Sequence, residues 1–358
     1  MDTLALVIGR FQMPHNMHVE LIRRAAQKAT RVLVVIGSVQ EQGTLRNPFS
    51  GKFRMSMLQA ACANIANIHF SSLLDLTHED DHSNAWGQYL LDHVNEEITR
   101  MPGQPVLKYM VYGDDEGRAH WFSPEAIEGV EMVVVPRSEV NVSATMLRKM
   151  LVNNDFREWA SYTPKSLHPM YEKIRMELMR AEPYGSMVPV KESQFINIYS
   201  RRVPTGQYRH FAHNPWCNGI GVGVLPYRTM NGSVEFLGRY EICAAHGDDA
   251  KLGLIVGGFD NMDTLSMEGC VLNELLEEGG IASSEESLVF LGKVRPNKGS
   301  DTVEYLFAVD VSGLTQGELS GTDAQDSFTK WITPEELLVS DDAQLLCAYL
   351  YGTKKGLF

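Results

Sequence analysis

The chain has 358 residues and a formal net charge of −13, with 44% hydrophobic and 22% charged residues. That acidic balance argues against broad nucleic-acid binding, and no apolar run reaches the length of a membrane span. Five scattered cysteines (Cys62, Cys217, Cys243, Cys270, Cys347), never in a Cys-x-x-Cys pair, point to reduced thiols and away from a zinc or disulfide framework. The N-terminal stretch has no basic-then-apolar secretion pattern, so a cytoplasmic protein of two or three domains is expected, with homo-oligomer formation left open.

Leu4 to Ile8 is an apolar run with the pattern of a strand buried on both faces. The chain then turns through Gly9-Arg10-Phe11-Gln12-Met13-Pro14 and enters a helix whose apolar stripe is Leu21, Ile22, Ala25, Ala26 and Ala29. Free N–H groups at that helix start form an anion site, and Arg10, His15 and His18 converge on it. A second strand, Arg31 to Ser38, completes a βαβ unit and predicts a parallel sheet with a right-handed crossover.

Arg46-Asn47-Pro48-Phe49-Ser50 leads into a helix over 51–63, whose expected stripe is Met55, Leu58 and Cys62. Asn47 and Ser50 read as a helix entry and its cap, and Arg46 as a phosphate ligand. An anionic ligand on an acidic protein needs local positive charge, for which Arg10, Arg46, Lys52, Arg54, Arg137 and Arg148 are candidates. His78-Glu79-x-x-His82 matches a zinc-protease pattern, but acids crowd it and no apolar helical face backs it, so it reads as a solvated loop. Asn84 and Trp86 read either as a helix cap and a core tryptophan or as ligand contacts.

Strands follow at Ile68–Phe70, Val106–Gly113 and Glu131–Pro136, and ligands of such open sheets sit beyond the carboxyl ends of strands. Asn141-Val142-Ser143-Ala144-Thr145-Met146-Leu147-Arg148 places Ser143 as an N-cap, with phosphate-binding N–H groups after it and Arg148 one turn on. Residues 9–18 resemble the Gly-Arg-Phe-Gln-Pro-x-His-x-Gly-His loop of the nucleotidyltransferases that make NAD from nicotinamide mononucleotide and ATP. Met13-Pro14 shifts the proline by one place, and Met17 stands where that family has glycine. Residues 47–50 resemble its Asn-Pro-Phe-Thr segment, Asn84 and Trp86 its Asn-x-Trp, and residues 142–148 its Ile-Ser-x-Thr-x-x-Arg. The resemblance implies a Rossmann-like α/β domain in which His18 stabilises the transition state. It also implies ATP and phosphate binding by Gly9, Arg10, Phe11, His15, His18, Arg46, Ser143, Thr145 and Arg148, and nicotinamide binding by Asn84 and Trp86.

Residues 155–180 read as helical and charged, and Pro164, Pro169, Pro183 and Pro189 mark a boundary. Gly219 to Leu225 alternates glycine with aliphatics but precedes no helix, so it reads as a strand. Within Gly257 to Ile281, Glu274, Glu277 and Glu278 share one helical face, with Val271, Leu272 and Leu275 opposite. Three carboxylates on one face repel unless cations neutralise them, which predicts Mg²⁺ or Mn²⁺. Val303 to Val309 is a further strand.

The acidic stretch resembles the Nudix box, and Trp331 to Leu337 resembles the close of Nudix domains. The stretch from Gly258 to Asn273 is one residue longer than in that box, and Asn273 replaces its arginine. Together the resemblances imply a nicotinamide mononucleotide adenylyltransferase fused to a Nudix hydrolase. The nucleotidyltransferase domain is expected over 1–165, a linker over 166–195, and an α+β Nudix domain, an α/β/α sandwich, over 196–358. The expected ligands are ATP, nicotinamide mononucleotide, NAD and ADP-ribose, with Glu274, Glu277 and Glu278 on the metal and Glu277 catalytic. Two alternatives stand beside this: a second domain that senses ADP-ribose or NAD without cutting it, and a first domain that serves another phosphate such as phosphopantetheine.

Overall fold

The computed structural model describes residues 2–76, 84–114, 118–136, 142–181, 187–203, 205–243, 245, 247–320 and 327–358. His78, Glu79, His82, Arg137, Asn141 and Pro183, named above, lie outside them. The chain divides into two compact units, Met1–Met187 with Arg202–Gly206, and Val188–Arg201 with Gln207–Phe358.

The first unit alternates strand and helix: β1 (Thr3–Gly9), α1 (Asn16–Lys28), β2 (Arg31–Ile36), α2 (Gly51–Ala61), β3 (Ile68–Ser72), α3 (Ala85–Arg100), β4 (Val106–Gly113) and β5 (Glu131–Val135). All five strands are parallel, in the order β3-β2-β1-β4-β5, with Leu4 opposite Arg31 on one side of β1 and Leu107 on the other. This is the Rossmann-like arrangement, in which the strand order reverses at the central strand and opens a crevice there. Leu4, Ala5, Leu6 and Val7 are wholly buried, as expected for a strand covered on both faces. The loops after β1, β2 and β3 and the starts of α1, α2 and α3 therefore all gather at the sheet's carboxyl edge.

The rest of the unit is helical: α4 (Ala144–Val152), α5 (Phe156–Tyr162) and α6 (Tyr171–Arg180). The continuous helix expected over 155–180 is interrupted, because Pro164 and Pro169 break the hydrogen-bond ladder and leave a 3₁₀ turn over Lys165–Met170. Phe156 and Trp159 each pack edge-on against Tyr171, and the Tyr171 hydroxyl donates to Asn154 Oδ1 at 3.0 Å. So α6, inside the stretch expected as linker, shares a core with α5.

The second unit holds β6 (Val188–Lys191), β7 (Asn197–Arg202), β8 (Tyr208–His213), β9 (Ile220–Met230), β10 (Ser233–Ile242), β11 (Ala250–Gly253), β12 (Ile255–Gly258), α7 (Met267–Gly279), β13 (Leu288–Val294), β14 (Val303–Asp310), β15 (Ser327–Ile332), α8 (Pro334–Leu338) and α9 (Ala343–Lys354). Strands β6, β7 and β8 form a small sheet of their own. The main sheet runs β11-β10-β9-β14-β13, with β12 on β9 and β15 on β10; among the described residues only the β9–β14 pair is parallel. Successive strand residues face opposite sides. Phe236 packs on Tyr349 of α9, while Leu237 reaches Gly279 of α7, so the two helices cover opposite faces. The α/β/α sandwich expected from the sequence is the observed architecture. Among the described residues, no helix is long and apolar enough to cross a membrane.

Inside this sandwich the Glu304 side chain of β14 accepts from Gln344 Nε2, and burial and then the Asp342 charge push its carboxyl up to about 7. A folded-state value above the ordinary one means that the folded chain holds this proton more tightly. Its contribution is present below about pH 4.5 and is lost as pH rises through about 7. Glu304→Gln is therefore expected to leave the melting temperature unchanged at pH 5. At pH 8.5 it should raise it by about 2–4 °C, the equivalent of about 1 kcal/mol for a domain of this size, in calorimetry of the full chain.

Candidate functional site

The turn after β1 is built on close packing. A side chain at Gly9 would meet the Phe11 ring at 3.1–3.3 Å and push it by a few tenths of an ångström, so glycine gives the ring room to fold back over the strand end. Phe11 itself sits at φ 49°, in the left-handed region, and is 2% exposed. Its ring meets His18 edge-on at 4.9 Å. His15 is the N-cap residue of α1 with extended backbone, and it stacks on His18 with ring centroids 3.8 Å apart and planes 24° apart. The i, i+3 spacing places both imidazoles on one face. The first backbone bond of α1 runs from Val19 N to His15 O, so the N–H groups of 16–18 point out of the helix start. Met17, in place of the family's glycine, is 3% exposed within the first turn, where its side chain belongs to the core.

Two buried guanidinia hold this turn in place. Arg54, wholly buried on α2, donates from one terminal nitrogen to Arg10 O (2.7 Å) and Gly37 O (2.8 Å), and from the other to Ser38 O (3.0 Å). Burial lowers its pKa to about 10, with Asp75 opposing and Arg10 adding to the shift, so it remains charged at neutral pH. Arg148, 8% exposed on α4, donates to Gln12 O at 2.9 Å and to Thr145 Oγ1 at 3.1 Å. The Gln12 amide brackets the Phe49 backbone, accepting from Phe49 N at 3.0 Å and donating to Phe49 O at 3.2 Å. The phosphate role considered for Arg54 is corrected: both its terminal nitrogens are taken by carbonyls, and it is a brace. Of the expected α2 stripe, Leu58 and the C-cap Cys62 are buried, while Met55 is half-buried and Arg54 and Met57 complete the buried face in its place.

Ser50 caps α2 by accepting from Phe53 N at 3.2 Å, and the Asn47 amide donates to Glu41, as the helix-entry reading has it. Ser143 caps α4 by accepting from Met146 N at 3.2 Å. Gly9, Arg10, Phe11, His15, His18 and Arg148 thus form one assembly around the loop, with Ser143 and Thr145 at the start of the helix that carries Arg148. Arg46 is exposed in the β2–α2 loop. Asn84 is exposed and makes no side-chain cap, and the half-buried Trp86 meets Trp121 edge-on at 4.8 Å. These three stand at the same carboxyl edge of the sheet.

A second charged site lies on α7, which starts at the Ser266 cap and ends at Gly280 with φ 68°. Val271 and Leu275 are wholly buried, Glu277 is exposed, and Glu274 and Glu278 are half-buried. The Glu274 carboxyl occupies the space that any side chain at 257 would fill. Burial, then Glu277 and Asp260, push its pKa up to about 7 against the pull of Arg239. Glu278 forms an ion pair with Arg239 of β10, which is 4% exposed and also reaches Glu241 at 3.2 Å. Sequence reading missed Arg239, which lies on a strand remote from the helix in sequence, with no local spacing to mark it. Among the described residues no group of three His, Cys, Asp or Glu side chains converges as a ready metal site. Glu274 nevertheless feels the charges of Glu277 and Asp260, and the three carboxylates, all oxygen donors, suit a hard divalent cation.

Arg54→Met leaves the carbonyls of Arg10, Gly37 and Ser38 without their donor. It should destabilise the chain by about 3 kcal/mol or more in denaturant titration. Arg54→Lys should recover little of the loss, since one ammonium cannot reproduce the planar fork.

Known proteins place this geometry. A family described as cytidylyltransferase-like matches residues 6–150. The nicotinamide-nucleotide adenylyltransferase of Picrophilus torridus is 39% identical over 171 residues, 48% of this chain and 90% of that protein. That of Thermococcus onnurineus is 28% identical over 177 residues, 49% of this chain and 85% of that protein. A crystal structure of a bifunctional NMN adenylyltransferase/ADP ribose pyrophosphatase from Francisella tularensis, complexed with AMP and Mn ion, aligns over 100% of this chain and 99% of its own at 16% identity. Its TM-score is 0.36, a likeness too slight to carry anything further. With 39% identity across nine-tenths of a relative, the chain belongs to the nicotinamide-nucleotide adenylyltransferase family.

Proposed function

We propose that the first unit transfers an adenylyl group from ATP to nicotinamide mononucleotide. The 5′-phosphate oxygen of the mononucleotide attacks the α-phosphorus of ATP, the bond to the β-phosphate oxygen breaks, and NAD and pyrophosphate leave. The observation that supports this most is the stacked His15–His18 pair at the start of α1, on a loop fixed by Arg54 and Arg148. No protein nucleophile is needed, because the chemistry asks for alignment and for stabilisation of charge on the phosphoryl oxygens. His18 stabilises the transition state. Gly9, Arg10, Phe11, His15, Arg46, Ser143, Thr145 and Arg148 hold the triphosphate, with Arg148 acting from its bond to Gln12 O. Ser143 gives its oxygen lone pair to Met146 N and keeps its hydroxyl proton for a phosphate oxygen. Asn84 and Trp86 receive the nicotinamide, the indole offering a stacking face.

For the second unit we infer metal-dependent cleavage of ADP-ribose or a related dinucleotide to AMP and a sugar phosphate. Glu274 and Glu277 would hold a divalent cation, Mg²⁺ or Mn²⁺, with Asp260 close by and Glu278 oriented by Arg239. When bound, the cation would screen the diphosphate and lower the pKa of a water. A sensor that binds without cutting is the second reading, favoured by Asn273 in the arginine position and by the engagement of Glu278 with Arg239. The division of labour assigns transfer to the first unit and hydrolysis to the second.

Pyrophosphate release with ATP, Mg²⁺ and nicotinamide mononucleotide should fall about 10²–10³-fold in His18→Ala with the melting temperature retained. An intact rate would remove His18 from the mechanism. Chromatography of ADP-ribose incubated with the full chain and Mn²⁺ should show AMP, lost in Glu277→Gln. Calorimetric binding without AMP would instead establish the sensor.

A further inference from the structure

Trp216 lies in the 3₁₀ turn Pro215–Cys217 between β8 and β9 and is 47% exposed. Its neighbours are not: His213 is wholly buried and Cys217 is 3% exposed. His213 Nδ1 lies 3.1 Å from Asp301 Oδ2, and Asp301 N donates to Ala212 O at 3.1 Å. Gly219 N donates to Asn214 O at 3.0 Å, and Asn218 closes the turn at φ 55°. The indole is thus an exposed aromatic side chain on a turn fixed from both ends. The edge of its six-membered ring is seated on Gly258 of β12, where any side chain would overlap it.

That seat adjoins the acidic site. Gly257, the preceding residue, is the one beneath the Glu274 carboxyl, and Cys270 of α7 donates to Gly258 O at 3.6 Å. The charge of Asp260 is felt at both Cys217 and Glu274. Because successive strand residues alternate, Glu274 and Trp216 flank β12 from opposite faces. Among the described residues β12 pairs with β9 alone, so its other edge is a lip over which an elongated ligand can lap.

We propose that Trp216 is the stacking platform for the flat heteroaromatic ring of a nucleotide whose diphosphate lies over the α7 carboxylates. This rests on the dinucleotide reading of the second unit. The ligand class is a nucleoside diphosphate derivative bearing either a purine or a pyridinium ring. Both present a π-face to indole, and the pyridinium adds a cation–π attraction. A preorganised aromatic surface loses little entropy on binding, and a fixed turn supplies that.

The test uses the full chain, with Trp216→Leu to remove the aromatic face and Trp216→Phe to keep it. For ADP-ribose cleavage, Trp216→Leu should raise KM about 10-fold with kcat within about 2-fold, as loss of one stacked ring implies, and Trp216→Phe should return KM toward wild type. Inhibition constants separate the two rings. AMP weakened in the Leu variant marks a purine, nicotinamide mononucleotide weakened marks a pyridinium, and ribose 5-phosphate should not change. Fluorescence titration with AMP and with nicotinamide mononucleotide, taken as wild type minus Trp216→Phe, reads the ring contact without catalysis. It therefore decides the matter even where no ADP-ribose is cut or the Leu variant does not fold. Unchanged constants, or a null difference titration, overturn the platform. AMP formation surviving beside that result leaves the hydrolase reading standing. A positive titration without AMP formation supports the platform and overturns hydrolysis.

Discussion

The site of the first unit depends on charge-to-carbonyl bonding. Arg54 and Arg148 bury their guanidinia against the backbone oxygens of Arg10 and Gln12, two residues apart on the loop. Burying a cation is costly unless its donors are satisfied. Arg54 meets that requirement at its two terminal nitrogens, with three carbonyls rather than with a carboxylate. The choice has a functional consequence. A carboxylate partner would cancel the charge, whereas carbonyl dipoles satisfy the donors and leave the positive field in place. A protein carrying a net charge of −13 needs such a field wherever it is to hold a triphosphate.

The same bonds fix geometry. Phe11 is held at a positive φ that few side chains adopt, and its ring is trapped between Gly9 and His18. Strain of that kind persists only where the surroundings over-determine it, and the Gln12 clamp on Phe49 with the two arginines does so. The His15–His18 stack is consequently presented on a loop with little freedom, which is the condition under which positioning contributes to rate. Arg148 reaches that loop from 136 residues along the chain, so α4 cannot shift without moving the turn.

Much of this was legible because it is local. The buried run of β1, the histidines at i, i+3, the caps at Ser50 and Ser143, and the three glutamates on one face of α7 are all written in short spacings. What was not legible is set by tertiary contact. The stripe Met55, Leu58, Cys62 treats arginine as a surface residue, and the buried face of α2 is rotated to include Arg54 because three carbonyls await it. The strands β10, β11 and β13 carry no motif and are defined by pairing within a mixed sheet. Arg239 meets Glu278 only because β10 and α7 pack together.

That last pair also shows which carboxylate of α7 is served by a cation from elsewhere in the fold. Asn273 is exposed and precedes the exposed Glu277 by one helical turn. A cation there would pair with a solvated carboxylate, an interaction worth about 0–1 kcal/mol. Glu278 is the carboxylate with the stronger need, since burial raises its pKa to about 8 against the pull of Arg239, and an unpaired buried charge is strongly destabilising. The sheet supplies the cation at that point. Arg239 is already engaged by Glu241 and Glu278, while Glu274, Glu277 and Asp260 crowd together beside it. Replacing any one of them with a neutral residue would relieve that repulsion, at no loss of packing for the exposed Glu277. Local rules kept broken at a cluster of oxygen donors are what a cation-dependent function requires.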